Sequence, residues 1–385
     1  MELYIFNKYL ELKGILDTFI SLRWIRRFHK SGEFQLNCMF DINTLNLLKP
    51  ENIIYRKDDL EAGYIETIQI KLNENGQEYL EIKGKFLTNY LNSRISWERI
   101  KFDGGLESLI RKLINDNVIN PKNINRKISN LVLGDIKGFN ENIKYSDSFG
   151  NILGQLEKIS TTNNIGFRNI LDIKTKKIIF DLYKGVNRTA NNSSIAPCIF
   201  SREFENILNQ EYVNSFNNYK NTTLIAGAGE GSARKITYME NGIGLDRREL
   251  YVDARDISDK EEKTRMVEDR DLEGNIIGEH EETYEAEIPW DRYEPLLLQR
   301  GKEKLSECQK IETFNSKINI QSNNVYKKDY DLGDVVTIRD KKWNLMINER
   351  ITEIEEIFDN NGKSVNVMFG NQIPSIIDKI KQTVR

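Results

Sequence analysis

The sequence predicts a mainly β protein with α-helical insertions. Three observations carry that expectation. Many short runs alternate apolar and polar residues with a period of two, as in Phe34, Leu36, Cys38 and Phe40 of Glu33–Phe40. Glycine-bearing turn signals separate such runs, as in Asn73-Glu74-Asn75-Gly76 and Asp359-Asn360-Asn361-Gly362. In a few stretches the period lengthens to that of an amphipathic helix, most clearly at Leu106, Leu109, Ile110, Leu113 and Ile114.

A chain of 385 residues can hold two or three domains, each with its own core. Hydrophobic residues make up 39% and charged residues 30%, with a net charge of -3, so no overall pull toward nucleic acid or anionic membrane is expected. Cys38, Cys198 and Cys308 are odd in number and scattered, which argues against a disulfide framework and for synthesis in a reducing compartment. No apolar run approaches the ~18 residues of a membrane span. Met1-Glu2-Leu3-Tyr4 lacks the basic and apolar regions of a signal peptide. The expectation is a protein folded in a cytoplasm, without membrane insertion.

In chain order, residues 1–102 read as a first β domain. Its strands are sought at Leu3–Phe6, Ile20–Ile25 and Glu33–Phe40, and in the hairpin Ile68–Leu72 with Tyr79–Ile82. Regular strand and turn spacing favours a sandwich or barrel. Residues 103–165 read as a helical connecting domain. Its first helix is expected to be capped by Asp103 and to end before Pro121, and a second is expected to start near Ser146-Asp147 and to carry Phe149, Ile152, Leu153, Leu156 and Ile159. Residues 166–385 read as a second β domain. Paired strands are expected at Phe167–Ile173 and Lys177–Tyr183, and further strands at Thr223–Ala226, Ile236–Met239 and Glu249–Val252, while Asn187–Asn192 reads as a polar loop and Ile207–Asn221 resists assignment. An acidic excursion occupies 253–289; within it, residues 253–287 hold 14 Asp/Glu against 5 Lys/Arg, and Leu272–Ile276 reads as a hairpin tip. A helix is expected near 294–312, with Pro295 in its first turn and Leu296, Leu297, Leu305, Cys308 and Ile311 along it. The last hairpin, from Val335–Ile338 and Glu349–Ile354 to Val365–Gly370, sets Val365, Val367 and Phe369 on one apolar face and reads as the closing edge of a barrel. A short polar tail carrying Ile376, Ile377 and Ile380 follows.

Catalytic chemistry finds little to work with. His29 and His280 are the only histidines and read as surface residues. His280-Glu281-Glu282-Thr283 lacks the second histidine of a zinc-binding HExxH motif, because Tyr284 stands in its place. Neither histidine has a nucleophile elbow nearby. Gly227-Ala228-Gly229-Glu230-Gly231 lacks the spacing of a phosphate-binding loop and leads into a strand, so it reads as a hairpin or bulge. The acidic excursion offers no apolar niche to raise a glycosidase carboxyl. Trp24, Trp97, Trp290 and Trp343 are spread rather than gathered for sugar stacking, and Arg23, Arg26 and Arg27 read as the charged face of a strand rather than a nucleic-acid platform. No catalytic, cofactor-binding or metal-binding residues are expected, and no cofactor.

The order of elements resembles the phage tail hub, or baseplate hub, family, which includes the N-terminal part of the tail-associated lysin. The resemblance is carried by Gly32-Glu33-Phe34-Gln35-Leu36, Gly63-Tyr64-Ile65-Glu66, Ile82-Lys83-Gly84, Leu87, Tyr90-Leu91 and Arg94-Ile95. Farther on it is carried by Gly227, Arg247-Arg248-Glu249 with Asp253, and Tyr330-Asp331-Leu332-Gly333-Asp334 through Gly370. It implies two tube-protein-like β-barrels with small helical parts, and a homotrimeric ring that presents sixfold symmetry to the tail tube and threefold symmetry to a central spike or fibre. The implied partners are the tail tube or distal tail protein above, the spike or fibre below, and other baseplate proteins, with DNA only as passing cargo. The implied location is the virion tail, assembled in the host cytoplasm. Many hub-lysins continue into a peptidase or lysozyme domain, whereas this sequence stops about fifteen residues after Gly370, which favours a separate hub, as in contractile tails or phage-derived bacteriocins (tailocins). The rival expectations are a cell-wall hydrolase and a receptor- or glycan-binding tail module.

Overall fold

The computed structural model describes residues 1–270 and 275–370. It is mostly β, with 46% strand and 19% helix. One antiparallel ladder runs through eleven strands, from Ile207–Ser215 through Ile311–Ile318, Gly362–Gly370 and Leu345–Asp359 to Ser21–Arg27. It continues through Glu33–Met39, Glu78–Phe86, Ala62–Leu72, Ile53–Arg56 and Leu3–Phe6 to Leu12–Leu16. Strands from both ends of the sequence thus share one sheet. The terminal strands of this ladder do not pair with each other, so among the described residues no barrel closes.

The expected alternation is what the strands show. Phe34, Leu36 and Cys38 are buried while Glu33, Gln35 and Asn37 are half-exposed. In the last strand Val365, Val367 and Phe369 are buried and Asn366 and Met368 are half-buried. Gly84 lets the Phe34 ring lie against the backbone: a Cβ there would stand 2.0 Å from the Tyr64 carbonyl oxygen and 2.5 Å from that ring.

The last hairpin corrects one expectation, because it is an interior element of the sheet and not an edge. Its long strand, Leu345–Asp359, pairs first with Val335–Asp340. Beyond Arg350 the same strand lies between Gly362–Gly370 on one side and Ser21–Arg27 on the other. Fifteen residues are enough for one strand to serve two neighbourhoods in turn. Two apolar cores meet along it. One gathers Phe200, Phe314, Val336, Ile351, Ile354, Val367 and Phe369. The other gathers Leu22, Trp24, Phe34, Leu36, Leu80 and Phe86.

The helical parts are present with shifted starts. Leu106–Ile114 buries its five periodic residues, but its N-cap is Gly105. Asp103 instead belongs to the strand Ile100–Gly105, whose pairing with Asn142–Asp147 claims its backbone. The second helix is Ile152–Asn163, capped by Asn151, whose side-chain oxygen accepts from the Gly154 N–H at 2.9 Å. Ser146 and Asp147 end the preceding strand, and Phe149 is exposed with φ 55°. The third helix is Trp290–Ser306, which puts Pro295 in its second turn, and Ile311 opens a strand instead. Tyr293, Leu297 and Gly301 form its buried face. They pack with Ile225 and Val252 of a small sheet made by Thr222–Ala226, Ile236–Met239 and Glu249–Asp253. Asn187–Arg188, read as loop, makes a two-residue parallel pairing with Val335–Val336, and Ile207–Ser215 is a strand. The tail residues Ile376, Ile377 and Ile380 and part of the expected hairpin tip, 271–274, lie outside the described residues.

Candidate functional site

Where Ser21–Arg27 meets the long strand, the apolar face carries charge. Arg26 shares strand parity with Leu22 and Trp24, and it is buried as they are. Its Nε donates to Glu61 at 3.1 Å and its Nη1 to Asp331 and to the Tyr326 hydroxyl, each at 2.9 Å. Arg56, fully buried, reaches Glu356 at 3.2 Å and Asp58 at 2.5 Å. The Arg56 guanidinium lies 5.4 Å from the Trp24 ring and 4.7 Å from the Phe358 ring. Lys363 closes on the other oxygen of Glu356 at 2.6 Å, and Lys327 on Asp59 at 3.3 Å. Four chain segments, at 26, 56–61, 326–331 and 356–363, are tied in one network.

The electrostatics follow from burial and pairing. Burial would lower Arg26, but Tyr326, Asp59, Asp331 and Glu61 hold it well above its ordinary value. Burial likewise opposes the charge on Arg56, and Asp58, Glu356 and Asp59 more than compensate. Burial would raise the Asp59 carboxyl, yet Arg26, Lys327 and Arg56 keep it below the usual range. Glu61 moves the other way, pushed up by burial and by Asp59 against the pull of Arg26. Such a network adds little net stability over an apolar replacement, but removing one partner strands a buried charge. The arrangement ties Ser21–Arg27 to segments distant in sequence through buried charge.

His29 corrects a second expectation. It is half-buried: its Nδ1 lies 2.9 Å from Ser160 Oγ and 3.0 Å from the Ile165 carbonyl oxygen, and burial lowers its pKa to about 4. His280 is exposed beside Asp269 at 2.8 Å. The structure does not bring the two histidines together. The glycine run is the hairpin turn between Thr222–Ala226 and Ile236–Met239, where Ala228 N–H donates to the Tyr293 hydroxyl at 2.9 Å. Trp24 is core, stacked on Phe34 with ring centres 5.7 Å apart, while Trp97, Trp290 and Trp343 are exposed at separate places. Arg23 and Arg27 occupy the charged strand face as read, Arg27 with Glu353 and Glu33 at 2.7 Å each, but Arg26 points into the protein. The buried ions Arg26, Arg56, Glu61 and Glu356 were missed from the sequence. Parity was the available signal: Arg26 falls in step with Leu22 and Trp24, and Glu356 with Ile354 and Phe358.

The acidic excursion forms a two-stranded antiparallel ribbon, Lys260–Arg270 with Ile276–Glu287, exposed over most of its length. Among the described residues no cluster of His, Cys, Asp and Glu is arranged to hold a metal ion, and no helix is long and apolar enough to cross a membrane.

Three solved tail proteins share this fold. The tail protein from Neisseria meningitidis MC58 is 11% identical, with 96% of each chain covered and a TM-score of 0.57. Prophage tail protein gp18 from Listeria monocytogenes EGD-e is 11% identical, with 100% of this chain and 98% of that chain covered and a TM-score of 0.57. The 43 kDa tail protein of prophage MuSo2 from Shewanella oneidensis is 10% identical, with 96% and 98% covered and a TM-score of 0.54. No curated protein matches the sequence. The family model described as Siphovirus ReqiPepy6 Gp37-like protein matches residues 2–371, which spans both β regions, the helical part and the acidic ribbon. The chain therefore belongs to the Siphovirus ReqiPepy6 Gp37-like family.

Proposed function

We propose that this tail protein is the hub of the tail tip, three copies of which form a ring that adapts a sixfold tail tube to a threefold central spike or fibre. The observation that carries the reading is the pairing of Ser21–Arg27 with Leu345–Asp359, which joins strands from the early and late parts of the chain in one ladder. Two comparable β regions per chain would offer six to the tube while the chains themselves repeat three times. The proposed division is a first β domain at 1–102, a helical connection at 103–165 and a second β domain from 166 onward. A junction tied by buried ion pairs supports it, because a ring segment that bears load needs its two halves held in one register. The partners are then the tube or distal tail protein on one side and the spike or fibre on the other, and the role is one of assembly rather than bond cleavage.

Sedimentation of the purified chain together with negative-stain imaging tests this. A threefold ring is the expected result; a chain that stays monomeric, alone and with its tube protein, would overturn it. A peptidoglycan zymogram checks the assignment as non-enzymatic, with no clearing expected.

A further inference from the structure

Among the described residues, the ribbon of Lys260–Arg270 and Ile276–Glu287 is exposed over most of its length. Ion pairs anchor its base, with Arg292 to Glu261 and Lys235 to Asp259, both at 2.8 Å. Beyond the base, the described pairs are internal to the ribbon, such as Arg265 with Glu282 at 2.7 Å and His280 with Asp269 at 2.8 Å. Strands of eleven and twelve residues carry it roughly 35 Å. A lone two-stranded ribbon in water is marginal at best.

Its register makes the matter sharper. Glu262 stands directly opposite Glu285, and Glu268 directly opposite Glu279. Like charges so placed destabilise a sheet. Glu281 and Glu287 lie on the same face by strand parity, so one side of the ribbon presents six glutamates against two bases, Lys260, which pairs with Glu285 at 3.1 Å, and Arg270, which pairs with Glu268 at 2.7 Å. Met266, 61% exposed, sits near the middle of that side with Thr264 and Thr283. Residues 253–287 carry a balance of -9, from 14 acids and 5 bases, in a chain whose total is -3; the remainder of the chain therefore stands at +6.

We infer that the ribbon is an assembly arm whose glutamate face docks on the positively charged body of a second copy of this chain. The inference rests on the proposal that copies assemble, and it adds which surface joins them. A basic body surface would offset the excess of glutamates over bases on that face and would cover Met266. The complementary charge lies within the same chain, so each copy in a ring can offer an arm to one neighbour and a body to the other, the head-to-tail arrangement that closes rings.

The test uses the full chain and the variant E262K/E268K. Each substitution turns an opposed glutamate pair into an opposite-charge pair, while E268K also removes the Glu268 partner of Arg270, so thermal melts of both chains are compared to separate lost association from ribbon unfolding. Sedimentation is expected to show self-association weakened about tenfold in the variant. Raising salt from about 50 to 500 mM should weaken the wild type more than the variant. Carbodiimide cross-linking of mixed ¹⁴N and ¹⁵N chains should yield mixed-isotope peptides that join arm glutamates to body lysines. Unchanged association in the variant, or arm cross-links confined to one copy, overturns the inference. Rings that persist in E262K/E268K remove the arm's role and leave the ring, whereas a wild-type chain that never associates removes both.

Discussion

The junction and the arm are built from the same residue types and do opposite work. At the junction, Arg26, Arg56 and Glu356 are buried at 2%, 0% and 0% exposure and held by several partners each. On the arm, Arg265 and Glu282 pair just as closely but in water, with 60% and 44% of their side chains exposed. Surface ion pairs are worth little because water screens both charges whether or not they meet. Buried ones matter through their removal, since the stranded partner has lost its hydration. Charge is therefore costly to strand at the junction, and on the arm it stays screened by water.

Substitutions can break or sharpen that contrast. The largest effect is expected where a charge enters a core with no partner. Phe369→Asp or Val367→Asp should unfold the second β region or abolish assembly, read as insoluble expression or loss of the cooperative melting transition. Soluble, wild-type-like behaviour in both would mean that the buried face is misassigned. Next, Arg26→Met should cost about 3–5 kcal/mol in urea unfolding, because Glu61 and Asp59 are left buried without their arginine. The double variant Arg26→Met/Glu61→Met should recover part of that loss; equal loss in both would show that the cost is packing and not a stranded charge.

His29 gives the next effect. Its folded pKa of about 4 lies below the ordinary 6.5, so the neutral ring is favoured in the fold. That contribution is fully present above pH 6.5 and is lost as pH falls from 6.5 through 4, by about 3 kcal/mol in total. Glu349, raised by burial and by Glu312 to about 7, works in the opposite sense: its contribution is full below about pH 4.5 and is lost as pH rises through 7. Comparing His29→Asn with wild type isolates the histidine. The variant should lose less stability on acidification, and parallel stability curves would refute the assignment. The smallest effect is expected on the arm, where Arg265→Ala should change unfolding stability by no more than about 0.5 kcal/mol. A larger change would bring the arm closer to the junction in character.

The sequence made much of this legible because strand and helix periods are local. The alternation of Glu33–Met39 and of Gly362–Gly370, the turns at Asn73–Gly76 and Asp359–Gly362, and the apolar stripe of Leu106–Ile114 each follow from the spacing of neighbouring residues. Helix starts were less legible, since strand pairing overrode the cap signals at Asp103 and at Ser146-Asp147. The histidine was misread because His29 follows three arginines in a charged run, whereas the elements that bury it arrive at Ser160 and Ile165.

By itself the sequence determined the mainly β class, the helical insertions, the exposed acidic excursion and the resemblance to tail hubs. Only the tertiary structure decided that the last hairpin lies inside the sheet, that its long strand joins the two β regions, and that Arg26, Arg56 and Glu356 are buried together. Periodicity reports which side of a strand faces inward. It does not report which strand lies beside it, and Arg23 and its partner Glu355 are 332 residues apart. Whether a charge is solvated or stranded depends on that neighbour, so the same arginine and glutamate letters acquire their energies only once the chain has folded.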